Sequence, residues 1–263
     1  MIRWNVSPEI FELGPLAPRW YGVLFALAFV AGYLVVKRCF VLENKNLKAL
    51  DPLLIRIIVG TVVGARLGHC LFYEPGFYLA NPLEILFVWK GGLASHGAAI
   101  GVFIAIFLFA RKYKQFSFSW VLDRICLAIP LGGALIRVGN FFNSEIIGKP
   151  THLFWGVVFE RIDSVARHPS QIYEALSYLA IFLFTWSLYR KKIPVQNGFF
   201  FGLALALIFS ARFLIEFSKE AQVGFEEAWA LNMGQWLSLP FIAIGLFLVF
   251  RLWGSRPQEK NRN

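Results

Sequence analysis

Apolar residues run almost unbroken through seven stretches of this chain, at 20–40, 53–73, 83–110, 120–142, 172–189, 199–217 and 236–253. Each is close to or above the ~20 helical residues that cross a hydrocarbon core about 30 Å thick, so the pattern predicts seven transmembrane helices. Lys and Arg collect in alternate connections. With an external N-terminus the inner segments hold fourteen of them, from Lys37, Arg38, Lys45 and Lys48 to the tail beyond Arg251, and the outer segments hold seven. Cytoplasmic retention of cations then favours N-out, C-in.

The third stretch breaks this regularity. Its 28 residues would make a straight helix of about 42 Å, too long for the core without tilt. Gly91-Gly92 divides it, so a short outer half-helix, a break and a full helix from His96 are expected. Non-helical backbone at that depth is tolerated only against protein or a wet cavity, which puts His96 at a cavity near the outer leaflet. Between the fourth and fifth stretches, residues 144–168 form a small extracytoplasmic head. In it 153–159 reads as a strand and 161–164 as a turn, the makings of a β-hairpin. Pro169 and Ser170 then open the fifth helix, with Ser170 as a candidate cap.

Composition narrows the class. Hydrophobic residues make up 57% of 263 and charged ones 16%, with mean hydropathy +0.59, too apolar for a soluble domain of this length. The expected fold is an all-α polytopic membrane protein, one catalytic domain over 1–263 with the 144–168 insertion. A net charge of +10 would suit nucleic acid only if grouped on one soluble face; here the cations sit between apolar spans and act as topology signals. Cys39, Cys70 and Cys126 match neither a metal-ligand spacing nor a disulfide framework and read as small buried hydrophobes. No metal or other cofactor is expected, and residues 1–17 lack the pattern of a cleavable leader.

Polar side chains inside spans need a reason, since a charge at the bilayer centre costs about 2.5–3.5 kcal/mol on insertion scales. Arg56 and Arg124 lie near inner ends and can snorkel. Arg66 is open between supporting the bundle and contacting a ligand, and His69 reads as structural. The densest group closes the fourth span, where Arg137 and Asn140 share a helix face and Asn143, Glu145 and Gly148 follow. Arg212 and Glu216, four apart in the sixth span, read either as a self-neutralising pair or as half of a second cationic point at the same outer depth. Two guanidinium groups there would suit a phosphate. Tyr21, at the outer end of the first span, is an interfacial aromatic or a ligand contact, and Trp4 and Trp155 have the same bland reading. Glu174 is either an acid near a helix start or a partner for an arginine. A transporter would more often show two related halves; here the polar residues gather at one depth.

The segment IRVGNFFNSEIIGKP at 136–150 resembles the signature of bacterial prolipoprotein diacylglyceryl transferases. WYG at 20–22, GGLASHGAAIG at 91–101, HPSQIYEA at 168–175, RFLIEF at 212–217 and MGQWLSLP at 233–240 fall in the family's order, so the likeness spans nearly the whole chain. It implies an enzyme of the bacterial inner membrane, active toward the extracytoplasmic leaflet; a monomer is expected. Such an enzyme moves the diacylglyceryl group of phosphatidylglycerol to the lipobox cysteine of prolipoproteins and releases glycerol phosphate. His96, Arg137 and Arg212 are the implied catalytic residues; Tyr21, Arg137, Asn140, Glu145, Gly148 and Glu216 are the implied substrate-binding ones. Glu145 and Glu216 are expected to hold the arginines in place. The chain departs from the family after Phe217, where an Arg and a Pro-Asp pair are usual and this sequence reads SKEAQVGFEE, so the last outer loop, 218–232, is where substrate-gate details would differ.

Overall fold

A computed structural model describes residues 2–13, 17–220 and 231–254. It is mostly helical. In chain order the elements are β1 (Ile2–Trp4), α1 (Trp20–Leu42), α2 (Leu50–Phe72), α3 (Pro75–Ala80), α4 (Ser95–Lys112), α5 (Phe118–Phe142), β2 (Val157–Phe159), β3 (Ala166–Arg167), α6 (Ser170–Arg190), α7 (Phe199–Ile215) and α8 (Met233–Leu252). Among the described residues six helices, α1 and α4 to α8, are long and apolar enough to cross a membrane, so the chain is a polytopic helical membrane protein. α2 has 23 residues but carries Asp51, Arg56 and Arg66.

By its internal contacts the chain divides into two units, 37–122 and the remainder. In the 37–122 unit, α2 and α4 meet along glycines spaced by four. A Cβ on Gly60 would stand 2.6 Å from the Gly101 carbonyl oxygen, one on Gly68 2.8 Å from Gly97 Cα, and Gly64 faces both Gly97 and Gly101. Small residues at this spacing let backbones approach closely where no hydrophobic force drives helices together in lipid. Beyond α2 the expected outer half-helix is instead two 3-10 turns, Pro82–Leu86 and Val88–Lys90, preceded by the unforeseen α3. Gly91 and Gly92 follow at φ 89° and 69°, a region open to glycine at little cost, and α4 begins at Ser95.

Arg66 explains the irregular stretch. It is 3% exposed and donates to the carbonyls of Glu84 (2.6 Å), Ile85 (3.0 Å), Gly91 (2.6 Å) and Gly92 (3.3 Å), with its guanidinium 4.9 Å from the Tyr78 ring centroid. Carbonyls that a regular helix would pair internally are satisfied by one arginine, so Arg66 supports the fold. His69 stacks on Tyr73 and meets Tyr78 edge-on. Arg56 donates back to the Pro52 carbonyl at 2.7 Å. Cys39 and Cys70 are buried and in no disulfide among the described residues, as is Cys126 in the other unit.

In that larger unit α1 lies on α5 through Ala28, Gly32, Ala128 and Gly132. α7 and α8 meet at Gly202, Ala206 and Gly245, where a Cβ on Gly245 would come 2.5 Å from the Ala206 amide nitrogen. Asp123, 1% exposed, accepts from the Gly198 and Phe201 amides at 2.8 Å each. A carboxylate from α5 thus meets the positive N-terminal end of α7. Arg124 stands beside it, 3.7 Å from the same carboxylate. β2 and β3 pair antiparallel, Val157 opposite Arg167, which realises the hairpin expected in the head; β1 adds in parallel, Ile2 opposite Val157. Trp4 is a sheet residue, and its ring lies 4.3 Å from that of Phe141 and 5.4 Å from that of Phe142, fixing the sheet to the end of α5.

Candidate functional site

The C-terminal turn of α5 ends in a strained corner. Ser144 and Ile146 have φ 56° and 55°, a left-handed conformation that costs a non-glycine residue about 1–2 kcal/mol and is unusual for a β-branched one. The start of α6 holds it: Ser170 Oγ donates to the Ile146 carbonyl at 3.1 Å and Gln171 Nε2 to the Glu145 carbonyl. Ser170 thus braces the corner and does not cap its own helix, where no side-chain cap forms. The corner sets the directions of the side chains before and after it.

Those side chains form a continuous polar string. Arg137 Nε meets Glu174 Oε2 at 2.7 Å, and its Nη1 donates to Asn140 Oδ1 at 3.1 Å. Asn140 Nδ2 donates to Glu145 Oε2 at 3.1 Å, and Asn143 Nδ2 to Oε1 of the same carboxylate at 2.9 Å. At the other end, Lys219 Nζ lies 3.0 Å from both Glu174 Oε1 and Glu216 Oε2. Glu174, Glu216 and Lys219 are 0%, 5% and 3% exposed, so each charge is compensated by direct contact, as burial requires. The carboxylate against Arg137 is that of Glu174. Glu145 reaches the guanidinium only through Asn140, and Glu216 faces Lys219, so neither fills the expected role of holding an arginine.

Arg212 stands apart from the string. Among the described residues its side chain makes no hydrogen bond or ion pair, and the self-neutralising Arg212–Glu216 pair does not form. Tyr178 relates the two arginines. Its ring packs with Ala134 of α5 and with Leu207, Ile208 and Ala211 of α7, and its hydroxyl feels the charge of both Arg137 and Arg212. Arg137 is oriented by the Glu174 carboxylate, whereas Arg212 has no carboxylate within ion-pair distance among the described residues. Tyr21 lies against Gly139, where a Cβ would come 2.9 Å from the Tyr21 ring, within the electrostatic reach of Arg137 and Glu145.

Gly148 has a packing reason to be glycine. A Cβ there would meet the carbonyl oxygens of His168 at 2.5 Å and Ser218 at 2.7 Å. It joins three segments: its N–H donates to the His168 carbonyl at 3.0 Å, and the next amide, Lys149, donates to the Ser218 carbonyl at 2.8 Å. Nearby, Arg167 is clasped by Asp163 and by Glu220 at 3.0 Å. The guanidinium holds the Asp163 carboxyl below its ordinary range, and the two carboxylates raise Arg167. Most of the last outer loop, 221–230, lies outside the described residues. His96, in the 37–122 unit, is the second residue of α4, with an exposed side chain.

Lys219, Gln171 and Tyr178 were not singled out from sequence. Lys219 looks like an ordinary loop cation after a span; its one signal is the i, i+3 spacing from Glu216.

The chain is a polytopic helical membrane protein that gathers arginines, amides and compensated carboxylates at the ends of its helices. Comparison with known proteins narrows the class. Residues 8–251 match the family model described as prolipoprotein diacylglyceryl transferase. Curated proteins named phosphatidylglycerol--prolipoprotein diacylglyceryl transferase are similar over nearly the full length. That of Tolumonas auensis is 51% identical, covering 95% of this chain and 96% of its own. That of Chloroherpeton thalassium is 48% identical over 95% and 94%, and that of Bacteroides fragilis 44% over 98% of each. The chain belongs to the prolipoprotein diacylglyceryl transferase family.

Proposed function

We propose that this chain transfers the diacylglyceryl group of phosphatidylglycerol to the lipobox cysteine thiol of prolipoproteins, the first step of bacterial lipoprotein maturation. The lipobox sulfur attacks the glycerol carbon that carries the phosphodiester, the C–S bond forms as the C–O bond breaks, and glycerol phosphate leaves. A phosphodiester with one negative charge becomes a monoester that approaches two, so charge grows on the phosphate along the reaction. Cations that meet this charge bind the transition state better than the ground state, which raises the rate and not only the affinity.

Arg137 and Arg212 supply those cations. The observation that carries the reading is that Arg137 is set by the Glu174 carboxylate while Arg212, among the described residues, has no carboxylate partner, with the Tyr178 hydroxyl within electrostatic reach of both. Arg137 is oriented by Glu174 and Asn140; Arg212 keeps its fork for a bidentate phosphate contact. Tyr21, Asn140 and Glu145 orient the glycerol headgroup, and Gly148 keeps the loop beside them close-packed. His96 takes the thiol proton, directly or through water, in the general-base role that histidine most often fills, and its exposed ring on the first turn of α4 is open to substrate.

In the membrane, α2 is the seventh span despite its charges, because Arg56 and Arg66 are satisfied by carbonyls. The orientation is N-out, C-in in the bacterial inner membrane, with residues 144–168 as an extracytoplasmic head on one catalytic domain and a monomeric working unit. Purified protein, phosphatidylglycerol and a lipobox peptide test the activity directly. Thioether-linked diacylglycerol on the cysteine is the expected product; its absence beside an active control enzyme removes the assignment.

A further inference from the structure

We propose that Lys219 is a positioning residue for phosphate binding: by engaging Glu216 it keeps that carboxylate off Arg212 and leaves the Arg212 guanidinium open to the lipid phosphodiester. The inference rests on the reading of Arg212 as a phosphate contact.

Arg212 and Glu216 are four residues apart at the end of α7, a spacing at which opposite charges on a helix meet. The turn between them is intact, with the Glu216 amide donating to the Arg212 carbonyl. Left to themselves the two would pair, and the cation would be neutralised before a substrate arrived. The structure turns Glu216 the other way. Its carboxylate bonds Lys219 at 3.0 Å and sits over Gly234 of α8, where a Cβ would come 2.7 Å from its Cδ. Glycine at 234 makes the seat, and Lys219 supplies the charge that fills it.

Lys219 suits this task chemically. An ammonium is a compact charge with three donors, and one such group serves Glu174 and Glu216 together at 3.0 Å each. Its backbone is fixed independently of these bonds, because Gly148 bridges Lys219 and Ser218 accepts from the Lys149 amide. Glu174 keeps Arg137 as a second partner at 2.7 Å, whereas Lys219 is the one charged partner of Glu216 among the described residues. Without the ammonium, Glu216 is therefore the acid left to seek another cation, and the nearest along its own helix face is Arg212.

The test is the dissociation constant for phosphatidylglycerol of the purified full-length protein, in phosphatidylcholine nanodiscs with rising phosphatidylglycerol content. Lys219→Met is expected to weaken binding about tenfold, and adding Glu216→Gln to restore it to within about threefold, because the neutral amide no longer competes for the guanidinium. A support role for Lys219 alone predicts no such rescue. Lys219→Met that binds like the parent, or a double variant as weak as the single, overturns the proposal. Where Lys219→Met does not fold, Gly234→Ala unseats the same carboxylate and is expected to weaken binding with rescue by Glu216→Gln; unchanged binding or no rescue overturns the proposal equally. Arg212→Gln separates the two levels. Parent-like binding in that variant removes Arg212 as a phosphate contact, while weak binding together with a failed rescue removes the role of Lys219 alone.

Discussion

Arg137 meets Glu174 through Nε and Asn140 through Nη1, so a substrate phosphate encounters a guanidinium whose plane is already set. Preorganised charge of this kind contributes about 2.7–4 kcal/mol per donor in comparable sites. Arg137→Ala is therefore expected to lower kcat by at least about 100-fold while the protein still inserts and unfolds cooperatively, checked by thioether formation and a thermal melt on the same sample. Activity within a few-fold of the parent would remove Arg137 from the chemistry. The group Arg137, Asn140, Asn143 and Glu145 was readable in the sequence because polar residues at membrane depth demand an explanation. Which acid faces which base was not readable. Glu174 takes the place beside Arg137 that Glu145 was expected to fill, and Glu216 pairs with Lys219, which enters the cluster from a loop where Gly148 lets the chain run.

At the scale of elements, close approach of α2 and α4 depends on Gly60, Gly64, Gly68, Gly97 and Gly101. Gly97→Val would drive a branched side chain into the backbone of α2 at Gly64 and Gly68. The expected result is overpacking of about 1–3 kcal/mol or more, seen as a lower melting temperature and reduced yield in membranes. The seam was present in the sequence as glycines four apart, whereas the 3-10 turns before α4 were not, since they exist because Arg66 reaches carbonyls up to 26 residues away. The head has its own clasp at Asp163 and Arg167. Asp163 titrates lower in the folded protein than in the unfolded chain, so its contribution is complete above the unfolded value near 3.9 and disappears as pH falls through the lower folded value. With its side chain 29% exposed, the contribution is at most about 1 kcal/mol. Amide exchange at Val165, corrected for intrinsic rates, should rise as pH falls from about 5 toward 2, and Asp163→Asn should flatten that dependence. An unchanged profile in the variant would show that the clasp carries no weight.

At the scale of the whole molecule, the apolar pattern fixed where most helices lie, and the cations between them set an expected direction across the bilayer. The three native cysteines are buried, which leaves a clean background for added ones. His152→Cys, in the head, is expected to react with an impermeant maleimide in intact cells, and Lys192→Cys, after α6, only once the membrane is opened. The reverse pattern would contradict the proposed N-out, C-in orientation.

The central claim is that guanidinium groups from α5 and α7 act on one phosphate, and a double-mutant cycle in kcat/KM for phosphatidylglycerol tests it most directly. Arg137→Gln and Arg212→Gln should each lower kcat/KM by about 100-fold, and the double variant should lose far less than the product of the two, because groups that share one partner do not act additively. Losses that multiply fully, or an Arg212→Gln enzyme within a few-fold of the parent, would contradict the account.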